Sequence, residues 1–175
     1  MILVKIEGRE IRQFPSIKEA VAYANSQVPM QPAMSAMANK NLKELQPYSY
    51  RQESTGVLLA PDFPLVYQLE CASLLAQAKG LAMDYTVAGP QIRVEQGKNH
   101  ESFMLWTPQK SLEQAILLAS TLEINIDFKN KRAIHKAANG QTFHKTWPTE
   151  DVPDLQFAIL RVAAEMGKSI MSKNT

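Results

Sequence analysis

A chain of 175 residues with a formal charge of +2 can bury a substantial core in one domain, or in one domain with a small unit attached. That balance exerts no overall pull on nucleic acid or an anionic membrane, and no apolar run reaches the roughly eighteen residues a membrane span needs. The single cysteine, Cys71, excludes an internal disulfide and a cysteine-cluster metal site, and the opening MILVKIEGRE meets a turn and charges too early for a signal peptide. A soluble, cytoplasmic protein that stays off the membrane is expected.

The first unit is expected over residues 1–28. MILVKIE and EIRQF read as strands around Gly8-Arg9, with Gly8 at the first central position of a type II′ turn, which sets Ile6 opposite Ile11 and Leu3 opposite Phe14. Pro15 ends that ladder. Ser16 and Glu19 have the spacing of a capping box for a helix to about Gln27, with an apolar face of Ile17, Ala20, Val21 and Ala24.

Residues 29–64 gain prolines and methionines and read as a connector, with a short helix over Ala33 to Gln46 that Pro47 stops. Met34, Met37, Leu42 and Leu45 form an imperfect stripe on it; methionines at helical spacing fill cores more often than they make adaptable binding surfaces. Gln46 to Gly56 has the composition of the most mobile loop, and its Tyr48, Tyr50 and Arg51 also suit a nucleic-acid groove.

The main domain, residues 65–175, opens with a helix from Leu65 to Lys79, buried along Leu65, Leu69, Ala72 and Leu75, carrying Cys71 as a buried thiol and ended by Gly80. Extended pieces follow at Asp84 to Ala88, Gln91 to Glu95 and Glu101 to Trp106, with turns at Gly89-Pro90 and Gly97 to Asn99. Thr107-Pro108 reads as the start of a helix from Gln109 to Leu122 that turns Leu112, Ala115, Ile116 and Ala119 inward. The strand EINIDF, a turn at Lys129-Asn130, the strand KRAIHKA and the hairpin signal Asn139-Gly140 come next.

The last helix is expected from Pro153 to Met171 behind an Asp151 N-cap. Leu155, Ile159, Val162, Met166 and Ile170, flanked by Phe157, Leu160 and Ala164, leave so narrow a polar strip that this must be the central core helix. Ala158, Ala163, Ala164 and Gly167 let its neighbours approach closely. The fold class is α+β: three main helices packed on a largely antiparallel sheet, with the N-terminal hairpin and helix attached.

If Asn139 and Gly140 form a two-residue loop, Lys136 faces Phe143, Arg132 faces Trp147 and His135 faces His144, with Cβ atoms roughly 5 Å apart. Two imidazoles at that spacing are an exposed pair of no special function more often than a ligand contact, a pH-sensitive pair or half of a metal site, which His100 joins only if the fold delivers it. Arg132 over Trp147 is a cation–π geometry. Neither a metal nor a cofactor is assigned. Lys129, Lys131, Arg132, Lys136 and Lys145 form a run without an acidic residue, which serves either as a lysine-guarded sheet edge or as a phosphate-binding ribbon. The candidate binding residues are Lys129, Lys131, Arg132, His135, Lys136, His144, Lys145 and Trp147.

The chain has no phosphate-binding G-x-x-x-x-G-K, no G-x-G-x-x-G, no G-x-S-x-G and no H-E-x-x-H. Glu150, Asp151 and Asp154 stand where a helix dipole favours negative charge. From Trp106 to Ile170, the order W-T-P, KSLEQAILLASTL, EINIDF, a hairpin and LQFAILRVAAEMGKS resembles small hypothetical proteins of phages and prophages, broadly the NinX-like group. The group's A-I-x-R-A-A-A-E-x-G helix is matched by Ala158, Ile159, Arg161, Ala163, Ala164, Glu165 and Gly167, and its G-G-P-I-I stretch is reduced to Ala88-Gly89-Pro90 and Gln91-Ile92. The resemblance runs over residues 65–172, leaves out the N-terminal hairpin and helix, and implies a phage setting without assigning residue roles. The expectation is a non-enzymatic accessory protein that occupies a surface on a host or phage macromolecule, with a protein as partner. Nucleic-acid or nucleotide binding through the hairpin 129–147 is one alternative and a small enzyme with an unrecognised site is another; a homodimer is possible.

Overall fold

The structure, a computed structural model, describes residues 1–86, 89–95 and 101–171, and the chain divides into two compact units, 1–66 and 67–175. The fold is α+β, with five helices and three antiparallel sheets among the described residues.

In the first unit β1 (Ile2–Ile6), β2 (Arg12–Phe14), α1 (Ile17–Gln27), α2 (Pro32–Lys43), β3 (Tyr48–Gln52) and β4 (Thr55–Pro61) follow one another, and the strands form one sheet in the order β2-β1-β4-β3. On β1 the side chains alternate: Ile2, Val4 and Ile6 are buried and Lys5 is exposed. Val57 and Leu59 of β4 belong to the same buried cluster, and Ile17, Ala20, Val21 and Ala24 of α1, with Ala38 and Leu42 of α2, close over it. The start of α1 is as its sequence directs, with Ser16 Oγ accepting the Glu19 N–H at 3.2 Å.

Residues 29–64 are therefore not a connector. They supply one helix and two of the four strands, and the stretch Gln46 to Gly56, expected to be mobile, is β3 and the start of β4. The central pairing of the sheet joins β1 to β4, far apart in sequence, which no local pattern announces. The first hairpin also differs: Ile2 pairs with Phe14 and Leu3 with Gln13, one residue from the expected register. Gly8, at φ 76°, is the third residue of a turn closed by the Arg9 N–H on the Ile6 carbonyl at 3.0 Å, a type II position, and Ile11 is left exposed. α2 ends before Pro47 is reached, where Leu45 takes φ 57° and the Gln46 N–H bonds the Asn41 carbonyl at 2.8 Å.

Into the second unit runs α3 (Leu65–Ala78), followed by β5 (Met83–Thr86), β6 (Gly89–Glu95), β7 (Glu101–Leu105), α4 (Leu112–Thr121), β8 (Asn125–Asp127), β9 (Arg132–Lys136), β10 (Thr142–Thr146) and α5 (Leu155–Met171). Two three-stranded sheets, β5-β6-β7 and β10-β9-β8, stand where a single sheet was expected. Gly80, at φ 100°, ends α3 in a Schellman arrangement: its N–H bonds the Gln77 carbonyl and that of Leu81 bonds the Ala76 carbonyl, both at 3.0 Å. Gly89 and Pro90 do not turn but pair within β6 opposite Thr86 and Tyr85. The expected turn at 97–99 and the end of the strand at Ala88 lie outside the described residues.

The helix placed behind Thr107-Pro108 begins at Leu112, because a turn closed by the Ser111 N–H on the Thr107 carbonyl at 3.0 Å intervenes and Ser111 is the N-cap. The buried face is Gln114, Ala115, Leu118 and Ala119, while Leu112 and Ile116, expected inward, are 52% and 42% exposed.

α5 is the centre of the second unit. Ala158 through Leu160 and Val162 through Ala164 have no exposed surface, and α4, β9 and β10 all lie against this helix. Its N-cap is Asp154, whose Oδ1 accepts the Phe157 N–H at 2.9 Å; Asp151, the expected cap, instead accepts the Thr149 hydroxyl at 3.1 Å. At Gly167 the backbone of α3 comes so close that a Cβ would stand 2.3 Å from the Cys71 carbonyl oxygen. Cys71 is fully buried, and that burial pushes its thiol pKa up and keeps it from reacting. Gly167→Ala should therefore lower the stability by about 1–3 kcal/mol, as overpacking a filled core does, read as a lower urea midpoint with an unchanged slope. An unchanged midpoint would mean that the two helices do not meet there.

Candidate functional site

The nominated binding residues surround β9 and β10, and the structure does not bring them together. Across the hairpin His135 pairs with Phe143, His144 with Ile134 and Arg132 with Thr146, one residue from the expected register. The loop is the cause. Gly140, at φ 83°, donates its N–H to the Ala137 carbonyl at 2.9 Å, and the Ala137 N–H bonds the Gln141 carbonyl at 2.8 Å, so the loop has a third residue, Ala138, and glycine serves as its bulge.

A slip of one residue moves every side chain to the other face. His135 lies on the face of Ala133 and Lys145, its ring 6.5 Å from that of Phe143 and its Nδ1 3.3 Å from the Glu123 carbonyl. His144 is on the opposite face and exposed. The histidine pair is thereby ruled out, and so is the contact of Arg132 with Trp147 across the strands. His100 lies outside the described residues; among those described, no three of His, Cys, Asp and Glu are grouped to hold a metal ion.

The positive charge is divided too. Lys145 Nζ is 2.9 Å from Glu165 of α5, which also takes Arg161 Nε at 3.1 Å, so this lysine faces the helix. Arg132 is 3.8 Å from Asp127, whose carboxylate accepts the side-chain amide of Asn130 at 2.7 Å and its backbone N–H at 3.0 Å. The Asn130 bonds foremost, and Arg132 after them, hold the Asp127 carboxyl below its ordinary 3.8. Lys129 and Lys131 are exposed in the turn before β9, and Lys136 is exposed at its end. Trp147, half-buried after β10, donates its backbone N–H to the Lys131 carbonyl at 3.0 Å.

A better-formed recess lies along β3, the terminal strand of the first sheet. Strand alternation splits the expected Tyr48, Tyr50 and Arg51 cluster: the tyrosines turn to the core side and Arg51 to the other. Tyr50 is buried with its hydroxyl donating to the Val28 carbonyl at 2.8 Å, and burial pushes its pKa up to about 12. Arg51 pairs with Glu7 at 2.5 Å, and Glu7 also accepts the Gly56 N–H at 3.0 Å; these bonds, that of Gly56 first, hold the Glu7 carboxyl low. A Cβ at Gly56 would stand 2.7 Å from that carboxylate, so a larger residue there would make the Glu7 side chain shift.

Beside β3, Pro29, Met30, Gln31 and Met34 face Arg51 and Gln52 across a cleft of about 280 Å³. At the start of the strand Asn41 of α2 donates to the Pro47 carbonyl at 3.3 Å and closes the gap. The methionine stripe is largely core, as its spacing reads: Leu42 and Leu45 are buried and Met34 packs against the core, while Met34 also lines the cleft and Met37 is 54% exposed. A wider depression of about 480 Å³ crosses the outer face of the same sheet over Lys5, Ser49, Arg51 and Leu58. In the second unit Phe103, Met104 and Leu105 of β7 are also exposed, and there the strand end is closed by Gln114, which accepts the Thr107 N–H at 2.6 Å and donates to the Leu105 carbonyl at 3.0 Å.

No protein-family model, curated protein or solved structure matches this chain. No helix among the described residues is long and apolar enough to cross a membrane.

Because the folded-state pKa of Asp127 lies below 3.8, its contribution to stability is present above that pH and is lost as the pH falls through the lowered value. Asp127→Asn should therefore lose less stability than the parent chain on acidification from about pH 5 to about pH 2.5, in urea midpoints taken at each pH. Parallel curves would remove the carboxylate from the turn.

Proposed function

We propose that the chain is a non-enzymatic binding protein that works in the cytoplasm by occupying a surface of another macromolecule, a host or phage protein. The observation that carries this reading is the methionine-lined cleft beside β3. At about 280 Å³ it stands at the lower end of the range of small-molecule sites and has room for the side chain of a protein partner. Unbranched, polarizable methionine adapts to side chains of differing shape, which fits a contact surface better than a site that must fix reacting atoms. The resemblance of residues 65–172 to phage proteins points to the partner's origin, and the lack of recognisable catalytic motifs favours binding over reaction. A second copy of the chain is one form such a partner takes.

The other reading, nucleic acid or a nucleotide on the hairpin, rests on exposed Lys129, Lys131 and Lys136 with Arg132 beside them. So few charges give weak and steeply salt-dependent affinity, and His135 and Lys145 are turned towards α5 and away from that face. A photo-crosslinking residue at position 34, and in a second variant at position 131, separates the readings in cells. Protein adducts from position 34, without nucleic-acid adducts from position 131, are expected. Nucleic-acid adducts from 131, together with retention of labelled DNA or RNA between about 50 and 200 mM salt that Lys131→Glu abolishes, would transfer the function to the hairpin.

A further inference from the structure

We infer that β3 is a strand-addition site: its outer edge, which no strand among the described residues pairs, takes an extended segment of the partner protein, with an apolar side chain seated in the methionine cleft and an acidic residue next to it. This rests on the binding-protein reading and specifies what is bound. The backbone directions follow from the ladder. The Glu7 N–H bonds the Gly56 carbonyl at 3.0 Å, so Gly56 and Leu58 turn their polar groups to β1, while Thr55, Val57 and Leu59 turn theirs to β3. Their partners Gln52, Tyr50 and Tyr48 bond inward. Ser49 and Arg51 consequently point N–H and C=O away from β4, along the free side of the sheet.

Two further features select the occupant. Backbone donors and acceptors in a row along a strand are matched by another extended backbone, whereas a docked helix has its own groups already bonded. Pro47, whose carbonyl also points outward, is already served by Asn41 of α2, so α2 closes one end of the edge and leaves Ser49 to Gln52 open beside Met30 and Met34. An added strand alternates its side chains as β3 does. The residue beside Gln52 turns to the cleft, which calls for an apolar anchor. Its neighbours turn to the outer face, where Lys5 and Arg51 stand against the single carboxylate of Glu7, which calls for Asp or Glu.

The test uses the full chain and short capped peptides of alternating Thr and Val, with Leu or Ala at the centre and Asp or Lys beside it. The Leu peptide flanked by Asp should bind, and exchange of either feature should weaken binding about tenfold. Amide hydrogen exchange of Ser49 and Arg51 should slow on binding. Ser49→Pro removes an outward N–H and no ladder bond, so it should keep the thermal midpoint and lose peptide affinity. Met34→Lys should lose it through the cleft. Binding that survives Ser49→Pro without slowing those amides would overturn strand addition while leaving the binding reading intact. If no peptide binds but position 34 still crosslinks a protein, strand addition fails alone. If neither occurs, both fail.

Discussion

The second unit depends on one constraint, that α5 has to be covered on nearly every side. A helix with Leu160, Val162 and Ile159 pointing in three directions, and alanines between them, exposes apolar surface to water unless neighbours surround it. Small residues decide how close those neighbours come. Gly167 sets the limit, since the Cys71 carbonyl occupies the place of a side chain. The polar residues that remain are used at the rim, where Glu165 holds Arg161 and Lys145. A lysine that counts as surface charge in a sequence becomes part of the seal between a hairpin and a helix.

Strand side chains have a period of two, so the number of loop residues decides the chemistry of a hairpin face. In both hairpins where glycine is the recognisable signal, the glycine with positive φ sits later in the turn than a two-residue loop would put it. The local difference is one residue. Its effect is to separate His135 from His144, to part Arg132 from Trp147 and to leave Ile11 in solvent. Functional pairs inferred across a hairpin are therefore only as secure as the loop length, which is set by the conformations of two or three residues and not by the apolar pattern of the strands.

Edges are treated in a consistent way in the two units. At β7 the amide of Gln114, and at β3 the amide of Asn41, bond a carbonyl that the strand turns away from its sheet. In each case a helix contributes a side chain that imitates the missing strand for one step, satisfying a polar group that the sheet leaves over. The imitation is short. At β3 it ends before Ser49, and the recess that follows is lined by methionines from the start of α2 and the residues before it. The first unit thus combines a four-stranded sheet, buried on one face by α1 and α2, with an edge whose backbone groups remain directed outward.

What the sequence determined by itself is what depends on neighbours close along the chain. The α+β class, the N-cap of α1 at Ser16, the buried faces of α1 and α5, the stop at Gly80 and the close-packing role of Gly167 are all local consequences of apolar period, capping chemistry and glycine. The tertiary structure decided what depends on residues remote in sequence or on the last degree of turn geometry. Residues 29–64 look like a connector because β4 finds its partner in β1 near the other end of the unit, and proline and methionine content says nothing of that pairing. Leu112 and Ile116 face outward because packing against α5 selects the adjoining strip of α4, Gln114, Ala115, Leu118 and Ala119, as its buried face. The basic residues of the hairpin are individually legible, but whether they form a surface depends on Glu165 and Asp127, and the cleft at β3 exists only because α2 folds back beside the strand that follows it. Periodicity and capping act over one or two turns of chain, whereas a binding surface is a relation between elements that only packing brings side by side.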